Sequence, residues 1–195
     1  MKPYSESCDQ NRDPILNIIQ PLFANAKNIL EIGSGTGQHA VYFAEKMPDL
    51  IWHPSDQAQY IDGIKMWINE SELSNLASPL TLNVTQTEWP NLKVDAVFSA
   101  NTTHIMHWND VEALFSKITN ILNNKGLFLL YGPFNYQNQY SSESNARFDS
   151  WLKNRDPESG IRNFEDLDQL AQQAGLLLQE DYAMPANNRI LCWSL

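Results

Sequence analysis

Asn28-Ile29-Leu30-Glu31-Ile32-Gly33-Ser34-Gly35-Thr36-Gly37-Gln38-His39-Ala40 decides the fold. The apolar run Asn28 to Ile32 reads as a strand, and the glycines after it allow a tight turn and close approach of backbone to a ligand. Ala40, Phe43, Ala44 and Met47 then fall on one helical stripe, stopped by Pro48-Asp49. The first turn of that helix offers N–H groups that no helical carbonyl uses. Leu50 to His53 is a second strand, and Asp56 lies just past it, 56 − 37 = 19 residues after the last glycine. A carboxylate there can accept hydrogen bonds from both hydroxyls of a ribose. The glycine spacing is G-x-G-x-G with an acid, Glu31, two residues ahead, which differs from the dinucleotide G-x-G-x-x-G. A turn without a ligand and a nicotinamide site are the alternatives for this loop.

Outward from the loop, strands and helices alternate. Asp13-Pro14 predicts a helix start, followed by the stripe Ile15, Ile18, Ile19, Leu22. Ile61, Ile64 and Ile68 mark a second helix after the glycine-loop helix, and Pro79 to Val84 a third strand. Val94 to Ser99 is a fourth strand, apolar on both faces. Val111, Leu114, Phe115, Ile118 and Leu122 mark a further helix, capped by Asn109 or Asp110, and Gly126 opens a fifth strand closed by Gly132-Pro133. Near-continuous apolar strands between helices predict a doubly wound α/β fold: a mostly parallel seven-stranded sheet covered on both faces. Phe164, Leu167, Leu170, Ala171 and Ala174 form a last helix, stopped by Gly175. The two strands after it, Leu176 to Leu178 and Ile190 to Trp193, are too closely linked for a parallel crossover, so the last is antiparallel. Residues 134–160 are polar and weakly periodic and read as a lid or binding insert within a single domain, 1–195.

The chain has 195 residues, 13 Lys+Arg against 23 Asp+Glu, and a net charge of −10. With a pI near 4.7 it lacks the basic face that nucleic-acid backbones require. The apolar content of 43 % excludes a disordered chain. Cys8 and Cys192 define no disulfide framework and read as reduced thiols. The N-terminus lacks the apolar core of a signal peptide, and no run approaches the ~20 apolar residues of a membrane span. The expected location is cytoplasmic.

The loop resembles that of class I S-adenosylmethionine (SAM) methyltransferases. That resemblance places Glu31 near the methionine amino group, Gly33, Gly35 and Gly37 beneath the ligand, and Asp56 on the ribose. It also places Asn83 and Asn101 among the cofactor contacts, Asn83 toward the adenine amino group. It implies an antiparallel seventh strand and a leading helix over the cofactor, with Arg12 as a cap. A second set of residues narrows the likeness. Asn11-Arg12-Asp13-Pro14-Ile15, Gly35-Thr36-Gly37-Gln38-His39, Trp52-His53-Pro54-Ser55-Asp56, Tyr131-Gly132-Pro133-Phe134, Ser144-Asn145 with Phe148-Asp149, Gly160-Ile161-Arg162 and Met184-Pro185-Ala186-Asn187-Asn188 occur in order. Together they resemble domain-of-unknown-function family 938, the methyltransferase-like 26 group, over nearly the whole chain. His53 replaces an expected Gln, Asn83 an expected Asp, and Thr102-Thr103 a more apolar pair. The family implies the SAM fold and names no substrate.

Ligands of open α/β sheets lie beyond the carboxyl ends of the strands. His104 or His107 there is a candidate base, with structural helix-start roles as the alternative. Asn101, Tyr131 and Asn188 are further acceptor-side candidates; a positive-φ turn is the alternative for Asn187-Asn188. Trp52, Trp89, Trp108, Tyr131 and Phe134 offer a sulfonium-facing ring or core packing. Arg147, Arg155 and Arg162 offer an anion grip or surface ion pairs. No Cys supports His104 and His107 as metal ligands, so no metal is expected. Base-amino methyltransferases usually carry Asn/Asp-Pro-Pro-aromatic where this chain reads Asn101-Thr102-Thr103-His104. The reading is a SAM-dependent methyltransferase for a small-molecule acceptor, without nucleic-acid or membrane partners. A SAM-binding sensor without transfer is the rival, and a nicotinamide oxidoreductase ranks last. The acceptor and the oligomeric state are left open.

Overall fold

A computed structural model describes residues 2–195. Seven strands form one sheet: β1 (Asn28–Ile32), β2 (Ile51–Asp56), β3 (Leu80–Thr81), β4 (Val94–Ala100), β5 (Leu122–Gly132), β6 (Leu177–Ala183) and β7 (Arg189–Ser194). Their order is β3-β2-β1-β4-β5-β7-β6. β1 runs parallel to β2 and β4, and β4 parallel to β5. β7 is antiparallel to both β5 and β6, as its short connection requires. The strand order reverses between β1 and β4, where doubly wound sheets open a crevice.

Strand alternation divides the core. Val97, Phe128 and Leu130 point to one face; Ala96, Phe98, Leu129 and Tyr131 point to the other. The first face is covered by α4 (Trp108–Ile118) and α6 (Phe164–Gln173), with Phe115 edge-on to Phe128 at 5.3 Å. The second is covered by α1 (Glu6–Leu22) and α2 (Gln38–Lys46), with Phe43 edge-on to Phe98 at 5.6 Å and 5.4 Å from Trp52. α3 (Ala58–Ser71) packs beside α2 and β2. No described helix is long and apolar enough to cross a membrane.

Several boundaries differ from the sequence reading: β2 runs on to include Asp56 and β6 runs on to Ala183. α1 starts at Glu6, and Pro14 lies inside it. The missing Pro14 N–H leaves one helical bond unmade; the fully buried Ile15 and Ile19 anchor the helix after that gap, and the Asn11 bond to His39 holds it before the gap. Asp13 accepts from the Tyr42 hydroxyl rather than capping. α4 has His107 at its cap position and ends at Ile118, so Leu122 opens β5 instead; three residues bulge from β5 between its pairings with Val94 and Ala96. β3 shrinks to two residues. The insert 134–160 contains a 13-residue helix, α5 (Glu143–Arg155), whose cap Ser142 accepts from the Asn145 N–H at 3.1 Å.

Candidate functional site

The glycine loop is held by backbone. Gly33 and Ser34 donate to the Ser55 carbonyl at 2.9 and 3.0 Å, tying the end of β1 to the end of β2. Gly33, Gly35 and Gly37 have φ of +77°, +57° and +92°, which suit glycine. A Cβ on Gly33 would lie 2.4 Å from the Thr102 methyl, and one on Gly37 3.1 Å from the α3 backbone at Ile64. A Cβ on Gly35 would meet nothing within 4 Å: it would project into open space.

That space is a cavity of about 500 Å³ whose walls include Gly33, Gly35, Asp56 and Asn101. Asp56 Oδ2 accepts from the Gly35 N–H and Oδ1 from the Gln57 N–H, both at 2.7 Å. Burial raises the Asp56 carboxyl, and those two donors oppose the rise. Glu31 stands behind the loop instead of in the wall. Its Oε2 accepts from Ser34 Oγ at 2.9 Å and Trp52 Nε1 at 3.0 Å, and burial pushes it up to about 7. Asn83 is exposed and outside the wall; its Oδ1 accepts from the Thr85 N–H and hydroxyl at 3.0 and 2.8 Å. Arg12 also lies outside, paired with Asp9 at 2.7 Å and stacked 4.7 Å from the Tyr42 ring centre.

The helix that carries Arg12 nevertheless covers the cavity. The Ser5 N–H donates to Gln38 Oε1 at 2.6 Å, and Gln38 Nε2 returns a bond to the Ser5 carbonyl at 3.2 Å. This brings Ser5, Ser7 and Cys8 into the wall. His39, also in the wall, pairs through Nε2 with Asn11 Oδ1 at 2.7 Å and stacks on Phe43. Burial lowers it to about 4, so it is neutral near pH 7. Sequence reasoning missed these four residues; for His39 its place in the first turn after the glycines was the available signal.

A second cavity of about 760 Å³ adjoins the first. Its walls bring together all four acceptor-side candidates, Asn101, His104, Tyr131 and Asn188. Ser5, Ser7, Asn101 and Ile105 line both cavities. Asn101 holds φ +58°, and its N–H donates to the Tyr131 carbonyl at 2.8 Å, locking the end of β4 to that of β5. His104 is buried edge-on to Phe148, with ring centres 5.3 Å apart. Burial, aided by the Arg162 charge, lowers it to about 4. Burial raises the Tyr131 phenol. Asn188 Nδ2 donates to the Pro185 carbonyl at 3.2 Å across a tight turn in which Ala186 and Asn187 both have positive φ.

The remaining candidates separate. His107 is exposed on the first cavity's rim and pairs with Asp156 at 2.8 Å, which raises it. Arg162 donates to the carbonyls of Thr103 (3.0 Å), Glu158 (2.9 Å) and Met106, fastening the insert to the loop after β4. Arg147 lies 3.8 Å from Glu143 on the surface. Only Arg155 of the three lines the second cavity. Trp52 and Phe134 are core residues, and Trp89 and Trp108 pack against it. The described residues contain no cluster of three metal-ligating side chains.

Solved structures that share this fold include SAM methyltransferases. The SAM-dependent methyltransferase SibL superposes with a TM-score of 0.81 at 19 % identity, over 96 % of this chain and 55 % of that one. Human N-acetylserotonin methyltransferase, solved with SAM, gives 0.82 at 14 % identity, over 97 % and 52 %. An O-methyltransferase family protein from Burkholderia thailandensis gives 0.79 at 14 %, over 95 % and 58 %. The fold is therefore that of class I SAM methyltransferases, and the chain spans about half the length of these proteins. A family model described as a protein of unknown function, DUF938, matches residues 2–195, so the chain belongs to that family.

Proposed function

We propose that the chain is a SAM-dependent methyltransferase acting on a small molecule. The observation that carries this is the pair of adjoining cavities with Asn101 in their common wall. The first fits SAM: its volume is that of a small-ligand site, Gly35 leaves room for a ligand beside the loop backbone, and Asp56 presents a carboxylate for ribose hydroxyls. Bound SAM supplies an electrophilic methyl on a sulfonium, which departs as a neutral thioether. The chain's own residues then position and desolvate. Asn101 stands where the cofactor and acceptor spaces meet and offers both a donor and an acceptor group. α1 lines both cavities and α5 the second. His104 is neutral near pH 7 and, with its basicity lowered by burial, is a weak proton acceptor that orients more than it abstracts.

That weak base favours a second reading, a SAM-binding protein without transfer. Calorimetry with SAM, S-adenosylhomocysteine and NAD separates the readings. Micromolar binding of the first two, none of NAD, and loss of at least tenfold in Asp56→Ala are expected. Unchanged SAM binding in that variant contradicts the site, and NAD binding alone contradicts the function. Formation of S-adenosylhomocysteine with a small-molecule extract supports transfer; its absence with SAM bound favours the second reading.

A further inference from the structure

The second cavity has a one-sided charge. Among the described residues no Asp or Glu lines it, although the chain carries 23 acids against 13 Lys+Arg. His104 is neutral there, so among the described residues Arg155 is the one formal charge in the wall near pH 7. The neighbouring arginines are engaged, Arg147 with Glu143 and Arg162, just after the insert, with three carbonyls. Arg155 has no carboxylate within 4.0 Å among the described residues. It lies over the face of Trp151 at 4.6 Å, and Trp151 lines the same cavity while half exposed, at 50 %. A guanidinium resting on an indole face keeps its in-plane N–H fork for a planar anion. Phe148 and Tyr131 add two more rings to the wall.

Resting on the methyltransferase reading, we propose that the second cavity takes acceptors with a carboxylate on a planar apolar body. Arg155 grips the carboxylate, the edges of the stacked pair Phe148 and Trp151 and the ring of Tyr131 hold the body, and the atom to be methylated lies toward Asn101. The anion's place is set by a fork that matches two oxygens. A cationic amine finds no counter-charge in this wall and meets the repulsion of Arg155.

The test is calorimetric binding of 2-naphthoate, 2-naphthamide and 2-naphthylmethylamine to the full chain with S-adenosylhomocysteine present and absent. The probes share one planar body and differ in charge. The carboxylate is expected to bind about tenfold tighter than the amide, with the amine weakest, and the preference to shrink with added salt. Arg155→Gln should erase the preference, and Arg155→Lys, which keeps charge without the fork, should retain part of it. An amide or amine binding as well as the acid overturns the proposal, as does a preference that survives in Arg155→Gln or no binding by any probe. S-adenosylhomocysteine affinity, read on the same samples, separates the two ideas. Its absence beside a retained carboxylate preference defeats the cofactor reading alone, whereas its presence without that preference defeats this one alone.

Discussion

Glu31 is a carboxyl at the centre of the molecule, held by a serine and an indole rather than by a cation. Its rise from 4.5 to about 7 means that the folded protein binds this proton more tightly than the unfolded chain. Stability from this group is therefore fully present below about pH 4.5 and declines as pH climbs toward 7. His39 and His104 act in the opposite sense: lowered from 6.5 to about 4, they contribute above 6.5 and lose that contribution as pH falls through 4. Glu31→Gln should remove only the first effect. Urea midpoints at pH 5 and pH 7 should show the variant gaining on the parent as pH rises, by at most roughly 3 kcal/mol. A gap that is the same at both pH values contradicts the burial account of Glu31. The residues of the glycine loop were legible because backbone rules choose them: a strand end, a turn that needs positive φ, a second strand end. Cys8 and His39 were not, because their role depends on how α1 docks across Gln38, which no local pattern announces.

At the scale of elements, α5 is the instructive case. Its buried stripe is Asn145, Asp149 and Leu152, two polar residues out of three, so apolar periodicity gives no signal. Asp149 is satisfied by Lys153 and Tyr140 side chains and by the Ile161 N–H, all at 2.7 Å, and this polar clasp replaces hydrophobic burial. The Ser142 cap therefore matters more than in an apolar helix. Ser142→Ala should cost about 1 kcal/mol, read as a lowered urea midpoint, with cofactor affinity unchanged because α5 lines only the second cavity. A loss of cofactor binding in this variant would tie α5 to the first cavity and contradict the division. α1 shows the reverse error: Pro14 looks like a beginning, yet the turns before it are held by the bonds of Ser5 to Gln38 and of Asn11 to His39. β1 and β4 were the most legible elements, their apolar runs coinciding closely with the observed strands.

Across the whole molecule, the short connection makes β6 and β7 an antiparallel pair, whereas the insertion of β7 beside β5 was legible only through the resemblance to class I SAM methyltransferases. The covers over the two cavities, α1 and α5, come from opposite ends of the first 155 residues, and they meet only in three dimensions. The charge of −10 describes the surface, while the second cavity carries the opposite sign. The partition between the cavities, one turn at the start of α1 facing Asn101 and Ile105, belongs to both chambers at once. Two guests that press on a common partition are thermodynamically linked, and the linkage is reciprocal. Titrating S-adenosylhomocysteine with and without 2-naphthoate, and then the reverse, closes a square of four affinities. The factor by which either guest alters the other should differ from one, and a factor of one would mean that the partition is rigid and the chambers answer to separate masters.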